Sequence, residues 1–310
     1  MDGTTMRPKD FIAIRDRSAE DLLALLDEAA SIKADPGKYR RRLEGKALAL
    51  ILEKPSLRTR VSFEVGIHQL GGYSLVLTPA EINLGKRESV RDVAKNLERM
   101  VDGIMIRTFR HETLLEMAEE ASIPVINGLT DFCHPCQAMA DYLTIREAKG
   151  RLEGIRIAYV GDGNNVAHSL LFGAVRFGAH LAVAHPPGYA PDAEVVRWAG
   201  ENAAATGARV EIHEDPVAAV RDADVVYTDV WTSMGMEAEA ERRKKDFRLY
   251  QVNDALVGHA RGDYVFLHCL PAHRGEEVCD SVIDSPHSIV FQQAENRLHA
   301  QKAVLLALMA

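Results

Sequence analysis

The chain is 310 residues long, 47% hydrophobic and 26% charged, with a formal net charge of −8. That is enough apolar material for two soluble domains of ordinary size, and the acidic balance argues against a broad nucleic-acid-binding face, so any anion must be held by a focused cluster. No apolar run approaches the roughly 20 residues needed to cross a bilayer, and the start, Met1 to Pro8, lacks the apolar core of a signal peptide; the expected location is the cytoplasm, with no membrane partner.

In chain order, Ser18-Ala19-Glu20-Asp21 opens a helix whose apolar face is Leu22, Leu23, Leu25, Leu26, Ala29 and Ile32. The run Ala47 to Leu52 reads as a buried strand, and Val61, Phe63, Val65, Ile67 and Leu70 fit a partly buried helix ending at Gly71-Gly72. Between them lies Glu53-Lys54-Pro55-Ser56-Leu57-Arg58-Thr59-Arg60. A helix N-terminus offers unpaired N–H groups and the positive end of the macrodipole, and Ser56, Arg58 and Thr59 add donors suited to a phosphate or carboxylate. The plainer alternative is that Ser56 caps the helix while the arginines face water.

Tyr73 to Leu77 reads as a strand, Ala80 to Arg87 as a polar loop, and Ser89 to Met100 as a helix. Gly103 to Ile106 is a buried strand with Arg107 at its C-terminal end, where ligands gather in open parallel sheets; the alternative is a solvent-facing arginine. A helix over 113–121 leads to the strand Pro124 to Asn127, then His134-Pro135-Cys136-Gln137 and a helix from Ala138 to Lys149. Gly150 and Gly154 place a domain boundary near 150.

The second half restarts the alternation with a strand from Ile155 to Val160, followed by Gly161-Asp162-Gly163-Asn164-Asn165-Val166. This is part of a dinucleotide turn, but Val166 holds the third glycine position, and the next strand ends at His185-Pro186-Pro187 without an acid for a ribose. A nicotinamide-dependent oxidoreductase is thereby disfavoured, and the tight turn sets Asn164 and Asn165 at the mouth of a sheet. Asp224 to Thr228 is a strand presenting Asp229 to Gly235; Glu241 to Asp246 reads as a solvated helix face. Tyr264 to Leu267 is a strand ending in His268-Cys269-Leu270-Pro271. The last helix, about 295–309, has Arg297 near its start.

The four cysteines, Cys133, Cys136, Cys269 and Cys279, are too few for a disulfide framework. Cys133 and Cys136 have half a zinc-site spacing, but no second pair repeats it, and no thioredoxin-like pattern surrounds them. Neither a zinc-stabilised binding module nor a redox role is favoured.

These strand-end segments together resemble the ornithine carbamoyltransferase family over nearly the whole chain. The residues that carry the resemblance are Ser56 to Arg60, Arg107-Thr108, His134 to Gln137, Gly161 to Asn165, Asp229 with Ser233-Met234-Gly235, and His268 to Pro271. It implies an α/β fold of two doubly wound parallel-sheet domains joined by helices. Residues 1–150 would bind carbamoyl phosphate and 151–294 ornithine, with the C-terminal helix 295–310 packing back on the first domain.

The resemblance assigns carbamoyl phosphate to Ser56, Leu57, Arg58, Thr59, Asn83, Arg107, His134, Gln137, Cys269, Leu270 and Arg297. It assigns ornithine to Asn165, Asp229, Ser233 and the backbone of Met234. Arg107, His134, Asp229 and Cys269 would carry catalysis, with no cofactor and no metal. A homotrimer or assembly of trimers is expected, with sites at subunit interfaces. Leu57 stands where the family most often has Thr and contributes only its backbone, and Asn83 replaces a glutamine that in many members reaches a neighbouring subunit. Arg60 is expected to pair with nearby acids, and Arg242 to Lys245 to lie on a loop that folds over ornithine. Aspartate, acetylornithine and putrescine carbamoyltransferases are the near alternatives.

Overall fold

The computed structural model describes residues 9–310, so the Met1 to Pro8 stretch lies outside the described residues. Contacts divide the chain into two compact units, residues Met1–Met139 with Arg297–Ala310, and residues Ala140–Asn296.

In the first unit, helix α1 (Ala19–Ala34) starts at Ser18, whose side chain accepts from the N–H of Asp21, and it buries Leu22, Leu26, Ala29 and Ile32. Strands β1 (Ala47–Leu52), β2 (Tyr73–Leu77), β3 (Gly103–Arg107) and β4 (Val125–Leu129) form an all-parallel sheet in the order β2-β1-β3-β4. Every residue of β1 and β3 is buried, which is why both read as unbroken apolar runs rather than alternating ones. Helix α2 (Leu57–Gln69) joins β1 to β2, α3 (Val90–Leu97) leads into β3, and α4 (His111–Glu120) joins β3 to β4. The core between sheet and helices gathers Ile51, Ile104, Ile106, Leu114, Met117 and Val125.

The expected polar loop after β2 contains a short helix, Pro79–Ile82, because Thr78 and Glu81 close a capping box around Pro79. Helix α5 (Pro135–Lys149) follows β4. By contacts the division falls inside this helix, at Met139/Ala140. Residues 135–139 associate with the first unit before the helix has ended.

The second unit has an all-parallel sheet of five strands, β5 (Arg156–Val160), β6 (His180–Ala184), β7 (Arg209–His213), β8 (Val225–Thr228) and β9 (Val265–His268), in the order β7-β6-β5-β8-β9. Helix α6 (Asn165–Phe177) joins β5 to β6, α7 (Ala193–Ala203) precedes β7, and α8 (Ala240–Asp246) lies between β8 and β9. Val160, Val226, Trp231, Phe247, Phe266 and Val278 share one core. Helix α9 (Val290–Met309) closes the chain, and from Arg297 onward its residues belong with the first unit.

Both sheets are doubly wound. In each, strand order reverses once, between β1 and β3 and between β5 and β8, and such switch points leave a crevice outside the strand C-termini where ligands bind. Among the described residues no helix is long and apolar enough to cross a membrane.

Candidate active site

At the β1/β3 switch point, Leu52 pairs with Arg107 in register and the N–H of Glu53 donates to the Arg107 carbonyl at 2.9 Å. The chain then turns into α2. Ser56 is its N-cap, its hydroxyl accepting from the N–H of Thr59 at 3.2 Å, so it does serve as the cap. The N–H groups of Leu57 and Arg58 come earlier in that first turn, where a helix supplies no intrahelical acceptor. Leu57 itself is 73% exposed and offers backbone only.

The arginines do not all face water. Thr59 is fully buried, and its Oγ1 accepts from Arg107 Nη1 at 3.4 Å and from Arg297 Nη2 at 3.2 Å. Arg297 Nη1 also donates to Gln137 Oε1 at 2.6 Å, and the Gln301 carboxamide, oriented to satisfy its neighbours, accepts from Arg297 Nη2 at 3.1 Å. His134 is buried beside these groups. Burial, then Arg297, Arg107 and Arg58, hold its pKa well below the usual imidazole value, so it is neutral at pH 7. Arg60 turns away and pairs with Glu64 at 3.0 Å.

The result is a positive pole at the start of α2, formed by Arg58, Arg107 and Arg297 around a neutral histidine. Lys54, which the sequence reading did not single out, joins it. Lys54 is buried with Nζ 4.3 Å from the centroid of Phe109, and burial, then Arg107, lower its pKa. Its place inside the strand-end motif was the available signal. Asn83 is not brought to this pole by any hydrogen bond among the described residues; it ends the helix Pro79–Ile82 in a left-handed conformation (φ 44°) and is exposed.

At the β5/β8 switch point, Gly161 (φ 149°) and Gly163 make the tight turn. A Cβ on Gly163 would stand 2.1 Å from the Pro191 nitrogen, so only glycine fits. Asn164 caps α6, its Oδ1 accepting from the N–H groups of Val166 and Ala167 at 2.9 and 3.2 Å. Its Nδ2 donates to Asp229 Oδ2 at 2.8 Å. Asp229 Oδ1 accepts from the Val230 N–H at 2.8 Å and from Cys269 Sγ at 2.9 Å. Three of about four carboxylate lone-pair directions are thus taken, leaving one on Oδ2 for a cation. Asn165 opens α6 beside this group. In the loop after β8, neither the Ser233 hydroxyl nor the Met234 N–H makes a hydrogen bond among the described residues, so both donors are open to a carboxylate.

Cys269 and Leu270 follow β9. The N–H of Leu270 (φ 57°) donates to His268 Nδ1 at 2.9 Å, and Leu270-Pro271 is a cis peptide bond. His268 Nε2 donates to Glu277 Oε1 at 3.2 Å, both side chains being fully buried. The pair holds the Cys269 turn, and Glu277 carried no sequence signal. Asp229, His268 and Cys269 place ligand atoms within 4.8 Å of one another, but both His268 nitrogens are committed to these bonds, so the trio is a poor metal site. Cys133 and Cys136 donate to the carbonyls of Ile12 and Asn127 at 3.5 and 3.4 Å, and burial pushes the Cys136 thiol up to about 12 and Cys133 higher. Both thiols thus bond to backbone carbonyls, and neither stands in a cluster of three potential metal ligands among the described residues.

The run Arg242 to Lys245 departs from its reading as a solvated face. Arg243 is only 5% exposed and pairs with Asp162 at 2.7 Å, whereas Arg242 and Lys244 stay at the surface beside Glu239 and Glu276.

A family model described as the aspartate/ornithine carbamoyltransferase carbamoyl-P binding domain matches residues 9–147, and one described as the Asp/Orn binding domain matches residues 153–308. The ornithine carbamoyltransferase of Thermococcus kodakarensis is 57% identical, covering 97% of this chain and 96% of its own. That of Bacillus subtilis is 55% identical, covering 99% and 95%. The solved ornithine carbamoyltransferase from Pyrococcus furiosus superposes with a TM-score of 0.95 at 55% identity, covering 98% of both chains. With two strand-end poles on doubly wound sheets and these matches along nearly its full length, the chain belongs to the aspartate/ornithine carbamoyltransferase family.

Proposed function

We propose that this protein transfers the carbamoyl group from carbamoyl phosphate to the δ-amine of L-ornithine, giving L-citrulline and phosphate, as a step in arginine synthesis. The observation that carries the reading is the convergence of Arg107 and Arg297 on the buried Thr59 hydroxyl at the N-terminus of α2. A dianionic phosphate is matched there by guanidinium forks and first-turn N–H groups. On this reading residues 1–150, with 295–310, handle carbamoyl phosphate, and residues 151–294 handle the amino acid.

The neutral δ-nitrogen attacks the carbamoyl carbon, a tetrahedral intermediate forms, the C–O bond to phosphate breaks and the amine loses one proton. Arg107, Thr59 and His134 are the donors for the developing oxyanion, and such preorganised donors are usually the largest catalytic contribution. A neutral His134 donates a hydrogen bond without adding a further positive charge to the pole. Gln137 orients Arg297, and Ser56, Leu57 and Arg58 with the helix N-terminus receive the departing phosphate.

Asp229 takes the α-ammonium on its open lone pair, and Ser233 and the Met234 N–H take the α-carboxylate, with Asn165 alongside. Asp229 and Cys269, hydrogen-bonded to each other at 2.9 Å, are the two candidates for taking the proton from the δ-amine. Putrescine offers no carboxylate to Met234, and acetylation removes the charge that Asp229 binds. Family resemblance further supports a cytoplasmic homotrimer or assembly of trimers, in which Asn83 faces a neighbouring subunit with a shorter reach than glutamine.

The test is a carbamoylation assay with carbamoyl phosphate and, in parallel, L-ornithine, aspartate, N-acetylornithine and putrescine. Citrulline formation with a clear preference for ornithine is expected. Preference for any other amine overturns the assignment.

A further inference from the structure

Asp229 is fixed by hydrogen bonds, but the segment bearing Ser233 and Met234 is largely exposed, and its internal bonds only shape local turns. One buried side chain reaches it from outside. Arg243 Nη1 donates to the Trp231 carbonyl at 2.8 Å and to Asp162 Oδ2 at 2.7 Å, Nη2 stands 3.3 Å from Met236 Sδ, and Nε donates to Glu239 Oε2 at 3.1 Å. The guanidinium also lies 5.0 Å from the centroid of the Tyr189 ring.

These contacts grip both ends of the Trp231 to Met236 segment. They also tie it to the turn carrying Asn164, since the N–H of Asn164 donates to the Asp162 carbonyl at 2.7 Å and that of Gly163 to the Tyr189 carbonyl at 2.9 Å. Asn164 in turn holds Asp229. Burial raises the Asp162 carboxyl above its ordinary value even with Arg243 beside it, so the carboxylate depends on that partner. The planar fork matters: Lys has one point charge and cannot direct donors at once to Asp162, the Trp231 carbonyl and Glu239.

We infer that Arg243 is a positioning residue for the amine substrate, clamping the Trp231 to Met236 segment onto the Gly161 to Asn165 turn and so setting where Ser233 and Met234 meet the α-carboxylate. This rests on the proposed ornithine-binding role of those residues.

The experiment is steady-state kinetics of Arg243→Lys and Glu239→Gln beside the wild type, varying each substrate in turn, with thermal melts and carbamoyl phosphate calorimetry to establish folding. In Arg243→Lys the KM for ornithine rises at least about tenfold, the consequence of losing buried charge-assisted bonds, while the KM for carbamoyl phosphate stays within about twofold and kcat at saturating ornithine within about threefold. Glu239→Gln loses only the exposed partner and raises the ornithine KM by about two- to fivefold. If Arg243→Lys does not fold, Glu239→Gln decides alone. An unchanged ornithine KM, or a fall in kcat alone that tracks the folded fraction, overturns the clamp. A wild type that forms no citrulline overturns the underlying reading instead, so the two failures are distinguishable.

Discussion

Thr59→Val isolates the centre of the phosphate pole. Valine keeps the β-branched shape of a fully buried side chain and leaves the N–H of residue 59 bonded to Ser56, so the helix start is preserved. What is lost is the acceptor for two guanidinium groups, at 3.4 Å from Arg107 and 3.2 Å from Arg297, and the donor proposed above for the carbamoyl oxygen. Hydrogen bonds to charged groups contribute about 1.5–3 kcal/mol each, and because both are long the lower figure applies, giving about 3 kcal/mol together. Bound phosphate recovers part of this by attracting the released guanidinium groups. The expected fall in kcat/KM for carbamoyl phosphate is therefore about 30- to 150-fold. The assay is citrulline production with carbamoyl phosphate varied at saturating ornithine. A variant that kept more than a third of the wild-type kcat/KM would show that Thr59 is not what organises the two arginines.

Arg107→Ala and Arg58→Ala each cut turnover at least about 100-fold with the fold intact by circular dichroism, the scale of an oxyanion or leaving-group donor. Asp229→Asn raises the ornithine KM at least about tenfold by removing the charge for the α-ammonium, whereas Cys269→Ser keeps a donor to Asp229 and costs less; equal effects would contradict the division of roles. His134 titrates well below its unfolded value of about 6.5, so the unfolded chain binds the extra proton first and stability falls as the pH drops from that value. Thermal melts from pH 8 to pH 5 should therefore decline more steeply in the wild type than in His134→Asn, and parallel curves would refute a buried neutral histidine.

The buried parallel strands were legible because β1 and β3 are apolar on both faces, and their ends because Gly, Pro and hydroxyl residues stop such runs. Helix starts at Ser18, Ser56 and Ser89 followed from local chemistry alone, since a cap is a bond between a side chain and an N–H three residues on. The short helix Pro79–Ile82 was missed because its polar residues and single turn carry no period.

The sequence by itself determined which residue types stand at strand ends, and from them a focused site for a phosphate or carboxylate at Ser56 to Thr59; the amino-acid site at Asp229 came with the family resemblance. Only the tertiary structure decided which of these converge. That Arg297 meets Thr59 across 238 positions, that Asn164 holds Asp229, and that Arg243 turns inward from a run of four basic residues are consequences of sheet order and burial. A one-dimensional pattern records polarity and period, and neither states which cation of a charged run finds a buried carboxylate. Asp162 settles that here by desolvation: its carboxylate is buried and pairs with Arg243 at 2.7 Å, so the guanidinium follows the carboxylate inward.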